Sequence, residues 1–269
     1  MSAEGKIRTI SFAGAGNVAG HLAPALFRAG FEIRTILSRN PDKALSLASS
    51  VGAKPGVSPS DLDMDTDLLI LALPDQVIPV FSSELKKTFN FTGIVAHTSG
   101  SQSMGAISMH HSRSGVFYPL QSFTRHTNPD IGIVPFCIEG SSPEIQALLG
   151  EVALKISVDV RFIDSAQRAA IHLAAVFASN FSNYMYAVAD CLLARSNVKP
   201  DILLPLIRET ATRLKGGDAA DLQTGPAVRR DWSTIDMHLS MLRKNPELKE
   251  LYKSVSEHIT KLKESGKAC

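Results

Sequence analysis

The residues best suited to chemistry form a glycine-rich turn near the start of the chain. Gly14, Gly16 and Ala19 follow an apolar run of strand length in the pattern G-x-G-x-x-A. Gly14 permits a sharp turn, Gly16 lets a pyrophosphate approach the backbone, and Ala19 lets a helix lie close to a sheet. That helix would present the free amides of Asn17 and Val18 to the phosphates. The pattern predicts dinucleotide binding, and the alternative is a tight turn without a ligand.

Ser38, Arg39 and Asn40 end the second predicted strand and indicate which dinucleotide binds. NAD sites usually carry an acidic residue here, which accepts hydrogen bonds from the ribose. A guanidinium and a hydroxyl instead suit the dianionic 2′-phosphate of NADP, and no carboxylate stands here to repel it. The segment predicts NADP(H) rather than NAD(H). Alternatively, Arg39 is a solvated charge beside a helix that starts at Asn40.

Two further loops follow predicted buried strands, where α/β sheets bind their ligands. Leu73, Pro74 and Asp75 could cover the cofactor ribose, although Asp75 could instead cap the next helix. His97 and Thr98 end the following strand, and we expect them near the nicotinamide.

Ser99 continues that second loop, which offers hydroxyl groups, glycine amides and the imidazole of His97. These groups suit a small oxyanion or carboxylate, so Ser99 is a candidate catalytic residue that faces the substrate. The alternative is a serine-rich turn. Tyr118 and Gln121, after the next short strand, either add polar groups to the site or serve local packing.

His172 is the candidate acid–base, and it lies in a long apolar segment, residues 164–195, that is predicted to be one helix. His172, Ser179 and Asn183 share a face of that helix by their spacing, and Asn180, a further catalytic candidate, is adjacent. Such a histidine could give or take the proton that accompanies hydride transfer. The alternative is a core histidine with its hydrogen bonds satisfied.

The elements that must position these residues alternate between strand and helix up to about residue 163. Strands are predicted at residues 7–12, 31–37, 53–57, 68–73, 93–97, 115–117, 133–138 and 157–162, with helices between most of them. This order predicts an α/β fold with a doubly wound, mostly parallel sheet. From residue 164 only helices are predicted, so residues 1–163 form a nucleotide-binding domain and residues 164–269 an all-α domain for dimerisation and substrate binding.

Composition and charge narrow the partners. A chain of 269 residues with 20% charged residues and a formal charge of +2 gives no reason to expect nucleic acid or membrane binding. The three cysteines lack metal-ligand spacing, so no metal is expected. The first strand begins near the N-terminus without a targeting segment, and a cytoplasmic location is expected.

The order of these motifs resembles a bacterial family in which a Rossmann-like NADP-binding domain precedes a helical domain of unknown function. The resemblance rests on the glycine turn at 14–19 and on residues 38–40, 73–75, 97–100, 118–123, 172–180 and 224–226. The family is similar to pyrroline-5-carboxylate reductase, deazaflavin-dependent NADP reductase and 6-phosphogluconate dehydrogenase-like proteins. The resemblance implies an NADP site at these motifs and a homodimer with intertwined helices.

The chain departs from related enzymes at two positions. The β-hydroxyacid dehydrogenases carry a catalytic lysine one turn before an asparagine on their long helix, and this chain has His172, Ser179 and Asn180 there without a lysine. Tyr118 also stands where related sequences often have histidine.

Taken together, the motifs predict an oxidoreductase that transfers hydride between NADP(H) and a small polar, anionic substrate. The alternative is an NADP(H)-binding sensor without turnover, which the missing lysine favours.

Overall fold

A computed structural model describes residues 6–89, 91–124 and 127–266. The strands are β1 (Thr9–Ala13), β2 (Glu32–Leu37), β3 (Lys54–Gly56), β4 (Leu68–Leu71), β5 (Ile94–His97), β6 (Ser114–Pro119), β7 (Phe136–Gly140) and β8 (Val160–Phe162). They form one eight-stranded sheet in the order β3-β2-β1-β4-β5-β6-β7-β8. Neighbouring strands are parallel, except that β6 and β7 are antiparallel.

Helices connect most of the strands and continue after the sheet ends. They are α1 (Asn17–Arg28), α2 (Pro41–Ser50), α3 (Ile78–Thr88), α4 (Gly105–Ser108), α5 (Pro143–Leu154), α6 (Ser165–Ala175), α7 (Ser182–Ala194), α8 (Leu204–Arg213), α9 (Pro226–Arg229), α10 (Trp232–Met241) and α11 (Pro246–Ser265). The predicted α/β fold, a Rossmann-type doubly wound sheet followed by helices, is confirmed.

The sheet is covered on both faces, which explains its continuous apolar runs. β4 and β5 are buried at every position, as strands between two helical layers must be. Phe12 and Ala13 are adjacent on β1 and belong to two separate core clusters. The first cluster includes Leu22 of α1, and the second includes Leu85 of α3. The helices on the two faces therefore fix the position of the sheet, including the edge from which its connecting loops leave.

Two elements differ from their predicted extents because local side-chain bonds redirect the backbone. The strand predicted at 133–138 starts only at Phe136, since Asp130 accepts a bond from the Gly132 amide and opens a 3₁₀ turn. Within the region after residue 164, where only helices are predicted, the sequence favours a single helix over residues 225–243, but the structure has two helices there. Arg230 adopts a left-handed conformation with φ of 54°, and Asp231 then caps α10.

The long helix predicted at 164–195 is helical throughout but changes its pitch. Asp164 starts α6 through a reciprocal capping pair with Gln167. Val176–Phe181 forms a π-helical segment between α6 and α7. Such a segment adds about one residue to a turn, so side chains on either side of it are out of α-helical phase.

The chain divides into two compact units, Met1–Tyr184 and Met185–Cys269. The division falls inside α7, and a functional domain boundary after Ile163 stays a prediction. In the described part of the chain, no helix combines the length and hydropathy needed to cross a membrane.

Candidate functional site

Four loops leave the sheet at the carboxyl ends of β1, β4, β5 and β6, which are parallel to their neighbours in this group. The chain runs from β1 outward to β2, while β4 lies on the other side of β1, so this edge contains the topological switch point. Ser101, after β5, donates a hydroxyl hydrogen bond to the carboxylate of Asp75, after β4. Asn17 donates its side-chain amide to the carbonyl of Phe123, after β6, over 3.0 Å. The predicted segments thus meet at one edge.

The two turn glycines serve different purposes. Gly14 has a φ of 111°, and a Cβ atom there would lie 2.8 Å from the carbonyl carbon of Ala72 and overlap its oxygen. At Gly16 an added Cβ atom would have no heavy atom within 4 Å. No side chain caps the helix that starts beside Gly16. The backbone at this point is therefore open to a phosphate, which fits a dinucleotide.

The side chains of the first two residues of α1 are engaged within the fold. The side-chain amide of Asn17 donates to the Phe123 carbonyl, and the Val18 side chain packs against the core. A depression of about 500 Å³ lies beside this turn, and Ala15, Gly16 and Lys43 are among its lining residues.

Arg39 follows β2 by two residues and is exposed. None of the ion pairs or side-chain hydrogen bonds among the described residues involves Arg39. Ser38 accepts a bond from the Asn40 amide, and Asn40 caps α2. A free guanidinium and a hydroxyl at this position fit a 2′-phosphate.

The loop after β5 uses much of its own hydrogen-bonding capacity. The buried Ser99 hydroxyl oxygen accepts bonds from the amides of Ser101 and Gln102, at 3.2 and 3.0 Å. The Ser99 amide donates to His97 Nδ1 over 3.2 Å. These three amides are therefore committed within the loop. Asp75 does not cap a helix, and its carboxylate receives the Ser101 hydroxyl instead.

His97 lies beneath this loop, where its side chain is fully buried. Burial, and then the positive charge of Arg168, lower the pKa of His97 to about 4, so the ring is neutral near pH 7. Thr98 is also buried, and its amide donates to the Leu71 carbonyl. Because both side chains are buried, a cofactor would contact either residue through its backbone. Leu73 and Pro74 lie between β4 and the 3₁₀ turn Asp75–Val77.

His172 borders a second depression, of about 550 Å³, formed by the segment after β6 and by α6 with its π-helical extension. The hydroxyl oxygen of Tyr118 lies 3.3 Å from His172 Nδ1, and the two rings meet edge to face. Burial raises the pKa of Tyr118 to about 12, so its hydroxyl stays protonated at neutral pH. Ser122 and Ser179 lie across the same depression, with their hydroxyl oxygens 3.1 Å apart.

The π-helical segment changes which asparagine joins His172. Asn180 lines the depression together with His172 and Ser179, and Asn183 does not. The predicted face that paired Asn183 with His172 is wrong because it assumed an α-helical period through Val176–Phe181. π-helical segments often occur at functional sites.

Arg168 was not among the predicted site residues, although it lies one helical turn before His172. It is the largest fully buried side chain of the chain's described part and forms an ion pair with Glu139. A basic residue in an otherwise apolar helix, four positions from a candidate histidine, is the signal that could have identified it.

Comparisons with known proteins extend these observations. A family profile described as "NADP oxidoreductase coenzyme F420-dependent" matches residues 9–99. A second profile, described as the domain of unknown function DUF2520, matches residues 134–259. The comparison with curated proteins found no match.

Three solved structures are similar to this chain over nearly its whole length. A Bacteroides fragilis protein, whose name proposes NADP oxidoreductase activity, is 38% identical with a TM-score of 0.90 over 95% of this chain and 98% of that one. A reductive aminase from Aspergillus terreus, in complex with NADPH and ethyl-5-oxohexanoate, is 14% identical with a TM-score of 0.69 over 98% and 96%. A pyrroline-5-carboxylate reductase from Streptococcus pyogenes is 15% identical with a TM-score of 0.63 over 94% and 98%. The last two likenesses concern the fold alone.

The fold and these matches define a protein of the NADP oxidoreductase class. The chain belongs to the family in which an NADP-binding Rossmann-type domain precedes the DUF2520 domain. The predicted family and its cofactor, NADP, are confirmed at this level.

Proposed function

We propose that the protein is an NADP-dependent oxidoreductase that transfers a hydride between NADP(H) and a small polar substrate. The observation that carries this proposal is the meeting of the open glycine turn, the Asp75–Ser101 contact and the Tyr118–His172 pair in one compact unit. The family supports an oxidoreductase over an NADP(H)-binding sensor without turnover.

His172 is the proposed acid–base, and Tyr118 orients its ring. The Tyr118 hydroxyl, which keeps its proton, can donate to Nδ1 of the neutral imidazole or accept from the Nδ1–H group of the imidazolium, so Nε2 is left for the substrate in both forms. NADPH, when bound, supplies the hydride. The imidazolium form of His172 would give its Nε2 proton to the substrate atom that gains charge, and the ring would be left neutral with its remaining proton on Nδ1. Asn180 and Ser99 are the proposed neighbours that orient the substrate.

The substrate is proposed to be small and polar, with an anionic group held by neutral donors. Ser122, Ser179 and Asn180 offer hydroxyl and amide donors to the depression. No lysine or arginine stands among the described lining residues, so such a group would be bound by hydrogen bonds rather than by an ion pair. We propose Gly14, Gly16, Asn17 and Val18 for the pyrophosphate, and the segments at Leu73–Asp75 and His97–Thr98 for the ribose and nicotinamide.

Arg39→Ala tests the cofactor assignment. NADPH affinity should fall about ten- to hundredfold, because a charge-assisted contact of about 1.5–3 kcal/mol is lost, and NADH affinity should barely change. Fluorescence titration with both cofactors measures the difference. Arg28→Ala, an exposed arginine at the far end of α1, is the control and should leave both affinities unchanged. Equal losses for NADPH and NADH in Arg39→Ala would contradict the assignment.

We also propose that the protein is a homodimer. Large apolar side chains along α6, the π-helical segment and α7 are exposed in the single chain, namely Leu173, Phe177, Phe181, Tyr184, Met185, Tyr186 and Leu192. Exposed apolar surface of this extent usually marks an interface. Sedimentation at micromolar concentration should show a dimer. Phe177→Glu should dissociate it and Val80→Glu, at an exposed position on α3, should not; a folded wild-type monomer would refute the proposal.

A further inference from the structure

Arg168 is a buried cation whose guanidinium forms hydrogen bonds to two other parts of the fold. Its Nη1 atom lies 2.5 Å from Glu139 Oε2 on β7. Its Nη2 atom donates to the carbonyl of Gln102, in the loop after β5, over 2.6 Å. The side chain itself stays on α6, four residues before His172. One residue thus connects a strand, a loop and the helix that carries the candidate acid–base.

Ser165 completes this network at the start of α6. Its hydroxyl donates to the Glu139 carboxylate, with a distance of 2.8 Å to Oε2. The same hydroxyl oxygen accepts bonds from the Met104 amide, at 3.0 Å, and from Arg168 Nη2, at 3.1 Å. The loop is therefore bonded to α6 at two points, the Gln102 carbonyl and the Met104 amide.

The position of this loop matters because it packs directly on the candidate catalytic pair. A Cβ atom at Gly100 would lie 2.6 Å from His172 Nδ1 and 2.8 Å from Cζ of Tyr118. The backbone at Gly100 thus occupies the space beside both rings. Movement of the loop would remove one wall of the site in which the Tyr118 hydroxyl and His172 Nδ1 lie 3.3 Å apart.

A buried ion pair is weak evidence for a stabilising role. Desolvation of the two charges offsets their attraction, and replacing such a pair by neutral residues is often close to neutral in stability. A guanidinium that binds a carboxylate and a carbonyl at once does fix geometry, because its planar fork holds both acceptors in one orientation.

We propose that Arg168 is a positioning residue that holds the loop of residues 98–104 against His172 and Tyr118. The role rests on the proposed function, because the pair it orders is the proposed acid–base and its partner. Arg168 acts through Gln102 and Gly100 and does not touch the substrate.

The test is nuclear magnetic resonance of the full chain without any substrate. Gly100 should show cross-peaks to the ring protons of His172 and a resonance displaced by the two rings. In Arg168→Met/Glu139→Gln, which leaves no unpaired buried charge, the cross-peaks should weaken several-fold and the Gly100 resonance should move towards that of an exposed glycine. The melting temperature should change little. Arg161→Gln, which breaks an exposed ion pair with Asp159, is the control and should alter neither signal.

Arg168→Lys is a second test variant. It keeps the buried charge beside Glu139 but lacks the second nitrogen that donates to the Gln102 carbonyl. Its Gly100 cross-peaks should also weaken. Unchanged cross-peaks in both folded variants would overturn the proposal, and so would global unfolding of both, which would assign Arg168 to stability. None of these readouts needs turnover. A failure to oxidise NADPH would count against the proposed function and leave the positioning result standing.

Discussion

Gly14→Ala is expected to prevent stable folding, whereas Gly16→Ala is expected to fold normally and to lose NADPH binding. At Gly14 the new Cβ atom would overlap the Ala72 carbonyl oxygen, and the φ of 111° is strained for alanine. Backbone overlap and strain together should cost more than about 4 kcal/mol, the range of the most damaging substitutions. At Gly16 the extended backbone and empty surroundings accept a methyl group, so the melting temperature should hardly change.

The loss at Gly16 should appear only when the cofactor binds. The added methyl group would occupy the space that a pyrophosphate needs to approach the backbone, and NADPH affinity should fall about tenfold or more. Circular dichroism against temperature and fluorescence titration with NADPH measure the two effects. A Gly16→Ala protein that binds NADPH as tightly as the wild type would show that the turn has a purely structural purpose.

His172→Asn should lower turnover by about 10²–10⁴-fold, the usual contribution of a general acid–base. His172 is only partly buried, so the substitution should change the free energy of unfolding by less than about 1 kcal/mol. NADPH affinity should also be retained, because the imidazole is expected to act on the substrate. Tyr118→Phe keeps the ring and removes the hydroxyl, and the loss of one neutral hydrogen bond of about 1 kcal/mol should reduce turnover about fivefold.

The measurement follows the absorbance of reduced nicotinamide in the presence of pooled carbonyl and imine compounds. The wild-type protein must first oxidise NADPH with some member of the pool. His172→Asn with full turnover would refute the acid–base assignment. A variant with a strongly lowered melting temperature would identify His172 as a packing residue and move the search to Ser99.

The arrangement of strands and helices was predictable because a strand that is buried on both faces consists of consecutive apolar residues. β4 is an unbroken apolar run, and the glycine turn at Gly14 and Gly16 identifies the strand it follows. The cofactor edge follows from the order of these elements. Ends of elements were less predictable, because Asp130 and Asp231 redirect the backbone through local side-chain bonds.

The candidate site was predictable as a set of segments and not as a set of contacts. His172 and Tyr118 were each considered, but 54 positions separate them and nothing in their spacing shows that their polar atoms meet. Arg168 looked like one charged residue in an apolar helix. Its function depends on Gln102 and Glu139, which reach it through the loop after β5 and through the antiparallel strand β7. Tertiary contacts of this kind leave no periodic pattern along the chain.

The π-helical segment Val176–Phe181 also constrains how this chain tolerates insertion and deletion. It is a stored extra residue within a continuous helix. Deleting one residue there would remove the extra residue and restore the α-helical pitch, and it would leave α6 and the start of α7 in their present relative orientation. A deletion within α6 after His172 would instead turn the residues that follow by about 100° relative to those before it. The helix can therefore lose one residue within this segment, provided that Asn180 itself is kept, without changing which amide lies beside His172.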